Sequence, residues 1–177
     1  MQDFPEGSYV VATNFPIDVS ALVESLEEYD QFVCSVAEYR PQPLVAASLL
    51  TKVESTNGVS LSLALPAGAT RRPTAACYAW DWPDSASMLL SLEPGGFPVV
   101  ATRQATDVWW LSINGRPTRL TMMDRYADGR WYATIEGYLH DNLSILCIVG
   151  AETADRRNEL IGAVATVRWK DDEVPAA

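Results

Sequence analysis

Valine and leucine alternate with small or polar residues along residues 59–65 of this chain, a period of two that is typical of a strand with one buried face. A second apolar run, at residues 44–53, precedes this strand, and Asn57–Gly58 lies between the two runs. Because Asn-Gly suits the tight turns of antiparallel hairpins, the pattern predicts a hairpin over residues 44–65.

Further strand-like segments follow one another in the C-terminal half. The turn dipeptides Asn114–Gly115 and Asp128–Gly129 separate some of them. Strands joined by turns this short pair antiparallel, since a parallel pair needs a long crossover. We therefore expect an antiparallel meander with strands at residues 99–104, 108–113, 118–126, 130–138 and 143–149.

Two amphipathic helices are predicted outside this meander. Near the N-terminus, Asp18 or Ser20 can cap a helix in which apolar residues recur at helical spacing up to Val33, with acidic residues on the other side. Near the C-terminus, Thr153 is the predicted cap of a helix that continues through Leu160. Each helix has one apolar side, so both are expected to pack on the sheet.

The region between the hairpin and the meander has a less regular pattern. Residues 66–75 have the composition of a loop, and residues 76–82 that of a strand. Ser85 precedes a short apolar stretch that ends at Pro94 and two glycines, which predicts a short helix from Ser85 to Leu92.

Together these elements predict a single α+β domain over residues 1–177. Its centre is an antiparallel β-sheet of about six to seven strands, with the N-terminal and C-terminal helices packed on it. Residues 1–15 are expected to be an extended N-terminal segment, and residues 171–177 a disordered acidic tail.

The chain is strongly acidic, with a net charge of −10 and a pI near 4.4. Nucleic acid is not an expected partner, because its recognition begins with a basic surface. Residues 1–60, 61–120 and 121–177 carry net charges of −7, +1 and −4, so only the middle part favours an anion. No apolar run has membrane-spanning length and the start lacks signal-peptide features, so we expect no membrane insertion and a cytoplasmic protein.

Few residues form a catalytic or metal-binding pattern. His140 is the only histidine, which excludes sites that need two imidazoles. The three cysteines form no CxxC pair, and no phosphate-binding glycine pattern occurs. Asp81, Asp84, Asp124 and Asp128 occur in turn contexts, where aspartate is favoured for its local hydrogen bonds. We therefore expect no metal site and no cofactor.

Two short segments give the C-terminal part a family resemblance. Residues 113–119 read Ile-Asn-Gly-Arg-Pro-Thr-Arg, and residues 164–169 read Val-Ala-Thr-Val-Arg-Trp. With the meander and helix between them, they resemble the C-terminal half of Mog1/PsbP-like domains over about residues 107–170. The resemblance implies an α/β/α sandwich. It also implies a mostly non-catalytic role, because members of that superfamily act as small-GTPase binders, photosystem accessory subunits or bacterial lipoproteins.

Aromatic and basic residues mark the surface expected to bind a partner. Trp109 and Trp110 are adjacent on a predicted strand, so their side chains lie on opposite faces of the sheet. One of them is then expected on the less buried face, flanked by Arg116 and Arg119. Tryptophan and arginine are enriched at protein-binding hot spots, so these four residues form the predicted partner-binding site. The alternative is that helices cover both faces and both indoles belong to the core.

The leading functional hypothesis is a non-catalytic protein-interaction or accessory module that binds another protein through this surface. One alternative is a small hydrolase or isomerase that uses Glu136 or Asp141 in a pocket of the sheet. Another is a small-ligand carrier, with tryptophans lining a cavity. An enzyme needs carboxylates with shifted pKa values in a concave pocket, a carrier an apolar cavity, and an adaptor a flat aromatic patch.

Overall fold

A computed structural model of the chain describes residues 37–44, 49–55, 58–74, 77–93, 107–123, 128–140 and 143–169. The strands in these residues are β1 (Leu49–Glu54), β2 (Ser60–Leu65), β3 (Thr70–Arg72), β4 (Tyr78–Asp81), β5 (Ser87–Glu93), β6 (Asp107–Ile113), β7 (Arg116–Met123), β8 (Trp131–His140) and β9 (Leu143–Ala151). They are followed by the helix α1 (Ala154–Ala165).

Seven of the strands form one antiparallel sheet, in the order β3-β4-β5-β9-β8-β7-β6. The strands β6 to β9 each pair with the next strand along the chain, which confirms the predicted meander for these four. β5 pairs with β9 and thereby joins the earlier strands to the meander. β1 and β2 pair with each other as a separate two-stranded sheet, in the hairpin predicted from the turn at residues 57–58.

One face of the sheet, which we call the core face, is covered by α1 and by the hairpin. The alternating apolar residues of β2 and the inner residues of α1 share one hydrophobic core with the sheet. Two backbone hydrogen bonds of 2.9 Å, between Ser62 of β2 and Arg168 after α1, attach the hairpin to the end of the helix. The architecture is therefore an antiparallel sheet with a mixed layer of hairpin and helix on one side.

Helix α1 begins as the sequence predicts. The hydroxyl of Thr153 accepts a hydrogen bond of 3.2 Å from the backbone N–H of Arg156, which confirms Thr153 as the cap. In the described ranges, no helix has the length and apolar character of a membrane span. The predicted N-terminal helix and the predicted strand at residues 99–104 lie outside the described residues, as do segments 1–15 and 171–177.

The prediction of a helix from Ser85 to Leu92 is wrong, because most of this stretch forms the strand β5. Met88, Leu90 and Leu92 are buried at every second position, which is the period of a strand. Ser85 is not a helix cap but a turn residue with φ of 63°, and its N–H donates to the carbonyl oxygen of Trp82. The predicted loop at residues 66–75 also contains the short strand β3.

Gly150 of β9 allows the ring of Tyr132 on β8 to lie against the sheet. A Cβ atom at position 150 would lie 2.7 Å from Cε1 of Tyr132. The ring is held in place, because its hydroxyl donates to Asp128 at 2.6 Å and the Arg130 guanidinium lies 5.6 Å from the ring centre. The hydrogen bond from Tyr132 also lowers the pKa of the Asp128 carboxyl.

We expect Gly150→Ala to lower the free energy of unfolding by about 1–3 kcal/mol, since overpacking of this size forces neighbours out of place. Urea denaturation measures the loss. In a Tyr132→Ala background, Gly150→Ala should lower the free energy of unfolding much less, because the ring that the new Cβ atom would contact is absent. An equal cost in both backgrounds would show that the contact with Tyr132 is not the cause.

Candidate functional site

The second face of the seven-stranded sheet, turned away from α1 and the hairpin, carries a group of polar residues on β7 and β8. Side chains that alternate with the core residues of β7 and β8 point to this face. The strand register sets Arg119 opposite Glu136 and Thr121 opposite Thr134. These four residues, which are adjacent on one face and all buried, are called the polar site.

Arg119 and Glu136 bring opposite charges into the polar site. Nη1 of Arg119 lies 3.8 Å from Oε1 of Glu136, and the two side chains are 11% and 5% exposed. The distance is longer than a hydrogen bond, so this contact is an attraction between charges. Removing an ion from water costs several kcal/mol, and the attraction between the two charges offsets part of that cost.

The two threonine hydroxyls of the polar site are buried polar groups of a different kind. Thr121 is 1% exposed and Thr134 is 7% exposed. Neither hydroxyl has a hydrogen-bond partner among the described residues. A buried hydroxyl without a partner costs roughly 1–3 kcal/mol, and most buried polar atoms in proteins avoid this cost. The core packing of the sheet does not explain why two such groups lie side by side.

Trp110 borders the polar site on the edge strand β6, where the register places it opposite Arg119. Its backbone N–H donates to the carbonyl oxygen of Ala37 at 3.0 Å, and its carbonyl oxygen accepts from the N–H of Tyr39 at 2.7 Å. Glu38 thus forms a short parallel bridge with Trp110. This bridge fixes the backbone of the half-buried tryptophan next to the arginine.

The structure brings together two of the four residues that the sequence predicts as a partner-binding site. Trp110 and Arg119 are neighbours on the second face. Trp109 lies on the core face, with its ring 6.2 Å from that of Tyr39 in an edge-to-face arrangement. Arg116 is exposed at the start of β7, opposite the core residue at the end of β6. The four residues therefore do not form one continuous surface.

The carboxylates considered for chemistry lie in separate places. Glu136 belongs to the polar site, whereas Asp124 and Asp141 lie outside the described residues. Asp81 and Asp84 each form an ion pair with an arginine. Within the ranges that the structure covers, no three residues among His, Cys, Asp and Glu lie close enough together to hold a metal ion.

The thiol of Cys147 lies on the core face of β9 and is fully buried. Burial raises the pKa of this thiol, because a thiolate would lose its hydration. Since the thiolate is the nucleophilic form, this environment disfavours a role for Cys147 in covalent chemistry.

Sequence reasoning pointed to Trp110, Arg119 and Glu136 but missed Thr121 and Thr134. Threonine is a common strand residue, and nothing in its local pattern indicates a site. The signal appears only when the register places the two hydroxyls opposite each other in a buried region.

Comparison of the chain with protein-family models and with curated proteins gives no match in either set. The similarity of residues 107–170 to Mog1/PsbP-like domains stays a prediction.

Proposed function

We propose that this chain is a non-catalytic binding protein and that its polar site receives a small polar ligand. The observation that supports this most directly is the pair of buried hydroxyls of Thr121 and Thr134, which have no hydrogen-bond partner among the described residues. A ligand that hydrogen-bonds to both hydroxyls would offset the cost of burying them. Natural proteins retain such local costs mainly where function requires them.

The chemistry of the polar site defines the ligand class. The guanidinium of Arg119 favours a hydrogen-bond acceptor or an anionic group, and the carboxylate of Glu136 favours a donor. Threonine hydroxyls serve as either donor or acceptor. A matching ligand carries a donor and an acceptor a few ångströms apart, as amino acids and small amides do, and Trp110 offers an apolar surface for the rest of it.

The protein-interaction hypothesis drawn from the sequence also stays a prediction. Protein contacts of ordinary size use broad surfaces with arginine and aromatic anchors that a partner can reach. Arg119 is only 9% exposed, and Arg116 is on the other side of β7. The four predicted residues therefore offer no single broad surface to a protein partner.

The first experiment is native mass spectrometry of the purified chain, which detects a small molecule that copurifies. A thermal-shift screen of amino acids, small amides and carboxylates follows. A compound that binds the polar site should lose affinity at least about tenfold in Thr121→Val, which is about 1.4 kcal/mol of binding free energy. Thr70→Val, on the exposed strand β3, is the matched control and should leave affinity unchanged.

Two results would redirect the proposal. If no compound copurifies or stabilises the chain, the small-ligand proposal fails, and capture of a protein partner with Trp110→Ala and Arg116→Ala variants tests the protein-interaction hypothesis. If a bound compound is chemically converted and Glu136→Gln stops the conversion, the chain is an enzyme.

Thr134→Val is expected to raise the free energy of unfolding by about 1 kcal/mol. The substitution keeps the shape of the side chain while it removes a buried hydroxyl that has no partner among the described residues. Urea denaturation of the ligand-free chain measures the change, with Thr70→Val again as the control. A loss of stability of the same size would show that the hydroxyl has a structural role instead.

A further inference from the structure

The hairpin strand β1 has an open edge, with which no other strand of the described residues pairs. Directly after β1, the backbone N–H of Ser55 donates to the carbonyl oxygen of Val59 at 2.9 Å, and hydrogen-bonded pairs alternate with non-bonded pairs along an antiparallel ladder. The backbone groups of Leu50, Lys52 and Glu54 therefore point away from β2. On the opposite edge of the hairpin, the equivalent outward groups of Ser62 are bonded to Arg168.

The open edge of β1 ends at Glu54. The hydroxyl of Tyr78 accepts a hydrogen bond from the N–H of Glu54 at 2.8 Å and donates one to its carbonyl oxygen at 2.9 Å. Leu50 and Lys52 have no comparable contact with any described residue. Within the described part of the chain, two N–H groups and two carbonyl groups are thus left for pairing with another strand.

The same strand carries exposed apolar side chains. Leu49 and Leu50 are 60% and 69% exposed, and they are the exposed large hydrophobic residues of the described part of the chain. Apolar residues on an unpaired edge are uncommon in monomeric proteins, because such an edge invites pairing with a further strand.

The two edges of the seven-stranded sheet differ from this one. At β6, the backbone of Trp110 is already bonded to Ala37 and Tyr39. At β3, the strand has three residues, of which two are the exposed arginines Arg71 and Arg72. A short, charged edge discourages pairing, so β1 is the edge suited to it.

We propose that β1 pairs antiparallel with β1 of a second copy of this chain, about a two-fold axis at Thr51. In this arrangement Leu50 of each copy lies opposite Lys52 of the other. Each Leu50–Lys52 pair exchanges two hydrogen bonds, so the four open backbone groups of each copy are all used. Leu49 then lies opposite Val53 of the second copy, which covers exposed apolar surface.

The register follows from the groups that are open. A two-fold axis at Lys52 would set Leu50 opposite Glu54, whose backbone groups are already taken by Tyr78. An axis at Thr51 sets Glu54 opposite residue 48 of the second copy, which lies outside β1, so the bonded pairs between the two β1 strands use only open groups. Because both copies use the same edge, the contact closes at two copies and does not propagate into a fibre.

The dimer is expected to be weak and dependent on salt. A contact limited to one short strand lies well below the roughly 1,000 Å² of stable interfaces, which places its dissociation constant on the order of 0.1–1 mM. Each copy carries a net charge of −10, so the copies repel each other. Salt screens this repulsion, and dimerisation should strengthen as ionic strength rises.

Sedimentation equilibrium of the full chain, up to ~1 mM protein and ~0.5 M salt, tests the proposal. Lys52→Pro removes an outward N–H that the β1–β2 ladder does not use, so the hairpin tolerates it as edge strands do. Lys52→Pro should raise the dissociation constant of the dimer at least about tenfold, which is about 1.4 kcal/mol of binding free energy. Lys52→Ala keeps the N–H group and is the matched control, expected to dimerise like the wild type.

Three results would overturn the proposal. The first is a wild-type chain that stays monomeric over the whole range, which would leave the edge for a strand of a different protein. The second is a Lys52→Pro variant that is folded by circular dichroism and dimerises like Lys52→Ala. If Lys52→Pro does not fold, Leu50→Lys is measured in its place. The third result is then a Leu50→Lys variant that dimerises like the wild type despite its added charge.

Discussion

Arg119→Met is expected to lower the free energy of unfolding by about 3–5 kcal/mol, a large part of the stability of an ordinary domain. The substitution removes the positive charge that lies 3.8 Å from Oε1 of Glu136, while the carboxylate stays in a region where its side chain is 5% exposed. A buried charge that loses its counterion keeps its desolvation cost but loses the attraction that offset part of it. Urea denaturation at neutral pH measures the loss.

Two control variants separate this effect from a general effect of losing an arginine. Arg72 pairs with Asp81 at 3.6 Å, but these side chains are 52% and 44% exposed, so Arg72→Met should cost less than about 1 kcal/mol. The double variant Arg119→Met, Glu136→Met should regain most of the loss, because neither charge remains. If Arg119→Met lowers the free energy of unfolding by no more than Arg72→Met does, the polar site is hydrated and not dry.

The same double variant also tests binding. It is expected to fold, yet it lacks both charged groups that define the proposed ligand class. A ligand identified with the wild-type chain should therefore fail to bind it, even though the fold is retained. Binding at wild-type affinity would move the ligand to another part of the molecule.

Trp82→Ala is expected to destabilise the chain by about 3–5 kcal/mol, the usual range for removing a buried tryptophan. Trp82 is 5% exposed, and its indole N–H donates to the carbonyl oxygen of Pro66 at 3.2 Å. The guanidinium of Arg156 lies 5.4 Å from its ring, so the ring connects the β2–β3 turn to the start of α1. Thermal and urea unfolding measure the loss.

Trp82→Phe is the matched control for this prediction. It keeps an aromatic ring beside Arg156 but loses the hydrogen bond to Pro66, so a loss of about 1–2 kcal/mol is expected. Losses of equal size for both substitutions would mean that the hydrogen bond, and not the packing of the ring, stabilises this corner.

Local patterns predicted the elements that depend on local geometry. The Asn114–Gly115 turn forms with φ values of 51° and 79°, and Gly129 also has a positive φ of 82°. Few other residues adopt this backbone conformation at low cost, so such dipeptides mark hairpins whatever the distant parts of the chain do. The strand β7 that follows the first of these turns is nevertheless buried on both faces from Thr118 to Met123, so its burial does not alternate.

Residues 85–92 show where local reasoning failed. A serine before a short apolar stretch resembles a helix start, and the stretch is too short for periodicity to distinguish helix from strand. Pairing with β9 decided the outcome, since it buries Met88, Leu90 and Leu92 against the core. That partner lies more than fifty residues away in the sequence, beyond the reach of any local pattern.

The amino-acid sequence by itself determined the strand-rich α+β composition, the tight turns, the capped C-terminal helix and the opposite orientation of Trp109 and Trp110. These features follow from backbone geometry within a few residues. Only the tertiary structure decided that Arg119 meets Glu136, that two threonine hydroxyls are buried beside them, and that no described strand covers the outer edge of β1. The physical reason is that burial and pairing are properties of strand register, which brings together residues that are distant along the chain.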